Sequence, residues 1–440
     1  MSDPQRGPAP GTQAGPPASA NVSGAYGAYV TFVFALVFML AAADRNIMSI
    51  LLAPIQAELG ASDTAMGALN GAAFSIVYAT AALPLARIAD RGNRRRLVGF
   101  AVAAWSLMTA LCGAATGFVG LLLARMGVAM GEAAHQPGAL SLVADVFPRS
   151  RRGIVVACVT IGSAVGIALG AFLAGRLNDL YGWRAAFLAM AAPGLVVAAL
   201  VLFTMPEPRR GRTSPTEREA PDAGLWTGLK YLLRIPTISR LLVAKVLLQL
   251  GFQGFLAWAP TFLIRVHGLS TSEMSAGFGA AVGGGSIISM VVAGLVSDQL
   301  SKRGERWRAY YCALALAAGL VPVLAMLFAP TAPLAIAALF LMSLTTGGVV
   351  SASLTAGLSV VRPTSRGLMT AMMTFATSGL GAGLGPVLFG AIADGLSSSF
   401  GASAIRYALL GVPAAFVCAS IFFVAAGRTT DHDVEIAERG

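Results

Sequence analysis

Apolar residues gather in twelve long runs, near 27–52, 66–86, 97–116, 119–146, 153–176, 184–204, 239–264, 275–297, 309–329, 333–360, 367–392 and 405–426. Each is long enough to cross a bilayer as a helix, for which about 20 residues suffice. The pattern predicts an all-α membrane protein with twelve transmembrane helices in two pseudo-symmetric six-helix bundles. The first run is too long for a cleaved leader, holds Asp44 and Arg45, and is followed by no small-residue cleavage site. It is expected to stay in the membrane.

The polar segments between the runs divide the chain. Residues 1–24, rich in Pro, Gly, Ala and Ser, are expected to form a disordered cytoplasmic tail. An N-terminal bundle is expected over 25–205, a cytoplasmic linker over 206–238, a C-terminal bundle over 239–427 and a second cytoplasmic tail over 428–440. Within the linker, Leu225, Trp226, Leu229, Leu232 and Leu233 fall on one helical face beside Lys230 and Arg234. That pattern predicts an amphipathic helix lying on the membrane surface.

Composition supports the membrane reading, since 56% of residues are hydrophobic and only 12% charged, against roughly a quarter charged in a soluble domain. The net charge of +11 follows from where the basic residues lie. They crowd the loops at 87–96, 149–152, 209–240, 302–308 and 362–366, whereas the other side holds Arg176, Arg184, Arg265 and Arg406. By the positive-inside rule both termini are cytoplasmic, so the charge needs no nucleic-acid partner. Scarce Lys beside abundant Arg, Ala and Gly suggests a GC-rich bacterial source and hence the inner (plasma) membrane.

The second half of the chain repeats the first. "ARIADRGNRRRL" follows the second run and "GLVSDQLSKRGERWR" the eighth, each an acid at a helix end before a basic loop. "PRSRRG" follows the fourth and "RPTSRG" the tenth, while "LNDLYGWRAAFL" and "IADGLSSSFGASAIRYALL" lead into the sixth and twelfth. Duplicated halves of this kind mark a transporter.

The loop "ADRGNRRR" resembles the signature after the second helix in the major facilitator superfamily, with Ala86 and Asn93 at two positions usually glycine. "AADRNIMSILLAPIQAELG" in helix one and "ARMGVAMGEAA" in helix four resemble the spinster group of that superfamily. The resemblance implies a central cavity lined by helices one, four, seven and ten. It also implies a lipid-like substrate, since spinster relatives carry sphingosine phosphates and lysophospholipids.

Charge inside the spans is the second signal. A charged side chain at a helix centre costs about 2.5–3.5 kcal/mol on insertion scales, so Arg125 and Glu132 must face protein or water. Seven residues apart, they share a face about 10.5 Å along the axis, too far for close contact with each other. Partners are expected on helix one, from Asp44 and Arg45. A proton would then be carried by Glu132 or Asp44, and an anionic headgroup held by Arg45 and Arg125. Fixed ion pairs pinning helix one to helix four are the competing reading. His135, one turn past Glu132, could relay its proton or could satisfy a backbone kinked near Pro137.

On the other wall, Gln249 and Gln253 recur at helical spacing in helix seven, near Phe252, Phe255 and Trp258, and helix ten offers Thr345, Thr346, Ser351, Ser353 and Thr355. Both glutamines are expected to touch substrate. Asp90, with Arg91 and Arg94, is expected to latch the cytoplasmic side, with Asp298 as a weaker counterpart. By resemblance that loop stabilises the outward-facing state. Gly162, Gly166 and Gly170, and Gly381 and Gly385, suit close helix approach.

Other chemistry finds little support. Cys112, Cys158, Cys312 and Cys418 are scattered without a C-x-x-C spacing, three histidines make no metal site, and no phosphate-binding glycine loop is present. Neither metal nor cofactor is expected. The expected partners are a small-molecule or lipid substrate, protons and membrane lipids, bound to a monomer. The functional reading is a proton-coupled secondary transporter of an amphiphilic anion, such as a lysolipid or sphingolipid. A proton-coupled organic-anion or drug transporter of the same superfamily is the alternative, and a membrane-embedded acyltransferase using His135 and Glu132 stands in a different class.

Overall fold

In a computed structural model of the chain, which describes residues 24–147, 149–205 and 225–439, the apolar runs are helices. The spans are α1 (Gly24–Leu59), α2 (63–91), α3 (Arg94–Ala114), α4 (Phe118–Val146), α5 (149–181), α6 (183–204), α7 (Pro236–His267), α8 (271–301), α9 (Arg306–Leu327), α10 (332–359), α11 (366–400) and α12 (404–439). Most run past the apolar stretch, by seven residues in α1 (to Leu59), eight in α11 (to Phe400) and thirteen in α12 (to Arg439), because hydrogen bonding carries a helix beyond it. Only a break at Gly182 (φ 82°) separates α5 from α6, in the left-handed region that glycine enters without a steric cost.

Small residues set the helix spacing. A Cβ on Gly166 would sit 2.1 Å from the carbonyl oxygen of Met39, and one on Gly162 2.6 Å from that of Ala35. The α5 glycine row thus lies directly on the α1 backbone. Gly385 plays the same part in the other half, 2.2 Å from the Leu250 carbonyl oxygen. Without a hydrophobic driving force inside the bilayer, such close approach is how membrane helices gain packing energy.

The linker helix (Leu225–Arg234) is present. Leu232 is buried, Gly228 packs toward Leu368 of α11, and Trp226, Tyr231 and Leu233 are exposed. Residues 1–23 and 206–224 lie outside the described residues.

Three short π-helical turns, Ala68–Ala72 in α2, Ala280–Gly284 in α8 and Thr377–Ala382 in α11, interrupt the α-helical ladder. Those of α2 and α8 lie in the second helix of each half, the latter about one turn further from the helix start. Such turns often mark functional positions, and each of these lines the central cavity: Asn70 from the first, Val282 from the second, and Ser378 and Ala382 from the third.

Candidate substrate cavity and its seal

Between the halves lies a cavity of about 580 Å³, walled on one side by α1, α2, α4 and α5 and on the other by α7, α8 and α11. Its floor is sealed where the hydrogen bonds joining the two halves gather. Arg265 at the end of α7 donates from Nη1 to Asp63 Oδ2 (3.0 Å) and from Nη2 to Asp63 Oδ1 (2.8 Å) and Gln56 Oε1 (2.5 Å). Asp394 of α11 accepts from the backbone N–H groups of Asp63 and Thr64 at 2.9 and 2.8 Å and from the Thr64 hydroxyl at 2.5 Å. Asp179 of α5 accepts from the N–H and hydroxyl of Ser272, at 2.8 and 2.5 Å. In both clasps, an aspartate near the end of a half's fifth helix meets the free N–H groups that open the second helix of the opposite half. A carboxylate there satisfies orphan donors and the positive end of the helix dipole at once. The clasps lie at the end of the bundle opposite the basic loops.

Arg45 and Arg125 line the first wall, with Glu132 buried behind Arg45. Arg45 Nε lies 2.6 Å from Glu132 Oε2, with the arginine side chain 42% exposed and the glutamate fully buried. Glu132 Oε1 has no hydrogen-bond partner among the described residues. Arg125 does not reach the Asp44 carboxylate. It donates instead to the backbone carbonyls of Asp44 (3.1 Å) and Arg45 (3.3 Å), with its guanidinium over the Phe74 ring at 4.7 Å. The reason is the helical step of about 100° per residue, which turns Asp44 away from the cavity toward α3, where Thr109 donates to it at 3.5 Å. Arg45, Arg125 and His135 line the cavity, and Asp44 does not.

His135 Nδ1 lies 2.6 Å from the Glu132 carbonyl oxygen, not from its carboxylate, and the ring stands edge-on to Phe38 and Trp105. Gln249 and Gln253 line the opposite wall with Phe252, whereas Phe255 and Trp258 are buried in the bundle. The helix-ten hydroxyls stay out of the cavity. Thr345, Thr346, Ser351, Ser353 and Thr355 each donate to a carbonyl three or four residues back in their own helix.

The side chains of Asp90, Arg91 and Asp298 lie outside the described residues. Arg94 is buried at the start of α3, whose cap is Asn93: its side-chain oxygen accepts the Arg96 N–H at 2.8 Å. Sequence reasoning missed the uncharged lining, Asn46, Ser49, Asn70, Ser75, Tyr78, Thr160, Ser163 and Ser378. It also missed the clasps, although the repeated segments that hold Asp179 and Asp394 had marked the two places as equivalent.

Two helical bundles around a charged central cavity, clasped together at one end, have the architecture of a secondary transporter. The chain belongs to the Major Facilitator Superfamily, whose profile matches residues 33–386. It is similar to an MFS-type efflux pump of Mycolicibacterium smegmatis, 31% identical over 408 residues that cover 92% of this chain and 94% of the pump. It is also similar to the sphingosine-1-phosphate transporter SPNS2 of Danio rerio, 23% identical over 405 residues, 87% of this chain and 80% of that protein. Among solved structures it resembles a bacterial homolog of the human lysosomal transporter spinster, captured inward-facing and unoccupied. That match has a TM-score of 0.79 at 25% identity and covers 95% of this chain and 98% of the other. The chain is thus a multi-pass membrane transporter, not an enzyme, and resembles the spinster group.

Proposed function

We propose that the chain is a proton-coupled secondary transporter of an amphiphilic organic anion, and that the Arg45–Glu132 pair couples the two ions. The pair itself carries this reading: the guanidinium borders the cavity while its carboxylate is cut off from water. In an apolar site a carboxylate is favoured as the anion when a guanidinium faces it and as the neutral acid when the guanidinium leaves. Protonation of Glu132 therefore frees Arg45 to take an anionic headgroup with its planar fork, and rocking of the halves carries both ions across. Arg125, held by two carbonyls, supplies a fixed second positive charge. Gln249 and Gln253 meet the substrate from the other half.

With the Arg-rich loops cytoplasmic, as the positive-inside rule requires, the clasped end faces outward. The protein then acts as a monomer in the inner membrane with both termini inside. The Asn, Ser, Thr, Tyr and Gln side chains on both walls favour a second reading, a compact hydroxylated acid in place of a lysolipid. Proteoliposomes carrying an imposed proton gradient, tested with a radiolabelled lysophospholipid and a radiolabelled sugar acid, separate the two. Uptake of neither above protein-free vesicles would remove the anion reading.

A further inference from the structure

Away from the cavity, on the face turned to lipid, α9 and α12 leave a trough lined by Ala317, Leu320, Val417, Ser420, Ile421, Val424, Ala425 and Arg428, with a volume of about 430 Å³. Its neighbours Leu314 and Val321 stand out into the bilayer at 71% and 73% exposure, so the small residues Ala317, Ser420 and Ala425 form a recess between larger ones. The floor offers no spare donor. The Ser420 hydroxyl is engaged with the carbonyls of Ala313 (3.2 Å) and Phe416 (2.8 Å). A hydrocarbon chain suits such a floor and a polar head does not.

The end of the trough nearest the basic loops is different. Arg428 lies there, exposed, and the two carboxylates nearest to it in sequence are already taken: Asp431 pairs with Arg306 at 3.3 Å, and Asp433 accepts the Thr237 N–H at 3.0 Å. Trp307 and Tyr310 stack edge to face at 5.7 Å beside this end, with Tyr310 against Gly427. Aromatic pairs of this kind sit at headgroup level. From Val417 to Arg428 is eleven residues, about 16 Å of helix, which is the depth of one leaflet's share of a ~30 Å hydrocarbon core. We propose that the α9–α12 trough seats one anionic phospholipid of the leaflet on the side of the basic loops, its acyl chain along Ala317, Ser420 and Ile421 and its phosphate on Arg428.

The test uses the full chain in lipid nanodiscs, with native mass spectrometry reading the lipid that stays bound. Phosphatidylglycerol and phosphatidylcholine of matched chains are compared, with free glycerol phosphate as a chain-less probe. The wild type should retain one phosphatidylglycerol with a preference of about five-fold over phosphatidylcholine, the worth of one interfacial arginine. Arg428→Gln should erase that preference and Arg428→Lys keep most of it, with thermal melts in phosphatidylcholine unchanged for both. Ala317→Phe, which fills the recess, should lose both lipids. Full preference in Arg428→Gln, or undiminished binding in Ala317→Phe, would overturn the proposal. So would displacement of the lipid by glycerol phosphate, which would make Arg428 a headgroup-only anion site.

Discussion

Arg45 and Glu132 meet at 2.6 Å across the α1–α4 boundary, one side chain bordering the cavity and the other sealed from it. A structural brace has no need of such asymmetry, whereas a coupled ion site does. If the carboxylate carries the proton, Glu132→Gln, a permanently neutral mimic, should bind substrate with an affinity that no longer changes with pH. Gradient-driven uptake should fall to background. Binding at two pH values on purified protein, with flux in proteoliposomes, checks both; proton-driven uptake that survives the change would move the coupling site elsewhere.

Arg45→Ala should separate anion binding from folding. It leaves a buried carboxylate unpaired, a loss of about 3–5 kcal/mol were that carboxylate forced to stay charged. Glu132 can instead take a proton, so the melting temperature should hold while binding of anionic substrates falls at least tenfold. Equal destabilisation of Arg45→Ala and Glu132→Gln would reduce the pair to a pin between helices.

The clasps should set which way the transporter faces. Asp394→Ala removes the acceptor of three hydrogen bonds at the start of α2, and Arg265→Ala releases Asp63 and Gln56. Either change should shift the population toward the outward-facing state, seen as longer spin-label distances between α2 and α11 at the sealed end, and the double variant with Asp179→Ala should shift it further. Unchanged distance distributions would show that glycine packing alone, such as Gly67 against the Pro386 carbonyl, keeps the seal.

Orientation has its own check. Cysteines placed at Arg96, in the first turn of α3, and at Arg303, in the loop after α8, should react with a membrane-impermeant maleimide only from the cytoplasmic face. Labelling from outside would invert the reading of the clasped end as the outer one.

The spans were legible because twenty apolar residues in a row have few other uses, and the Arg45–Glu132 pair because buried charge in a membrane must find its opposite. The partner of Arg125 was harder to read. Sequence marks a charged side chain as needing company but cannot say that two backbone carbonyls will supply it. The uncharged lining was hidden for a related reason: a serine such as Ser163 can bond to its own helix, here the Val159 carbonyl at 3.3 Å, so its presence in a span signals nothing. Helix ten shows the converse, a row of hydroxyls that looked like a binding surface and serves its own backbone.

The contact of the α5 glycines with the α1 backbone has a mechanical consequence. Met39 is held at the Gly166 carbon with no room for a methyl group, so α1 cannot slide or turn against α5 without opening a gap. Arg45, less than two turns further along α1, and Asp179, at the outer end of α5, are therefore points on one stiff beam. If the two helices move as one body, a shift at the ion pair displaces the clasp without any relay of side chains between them.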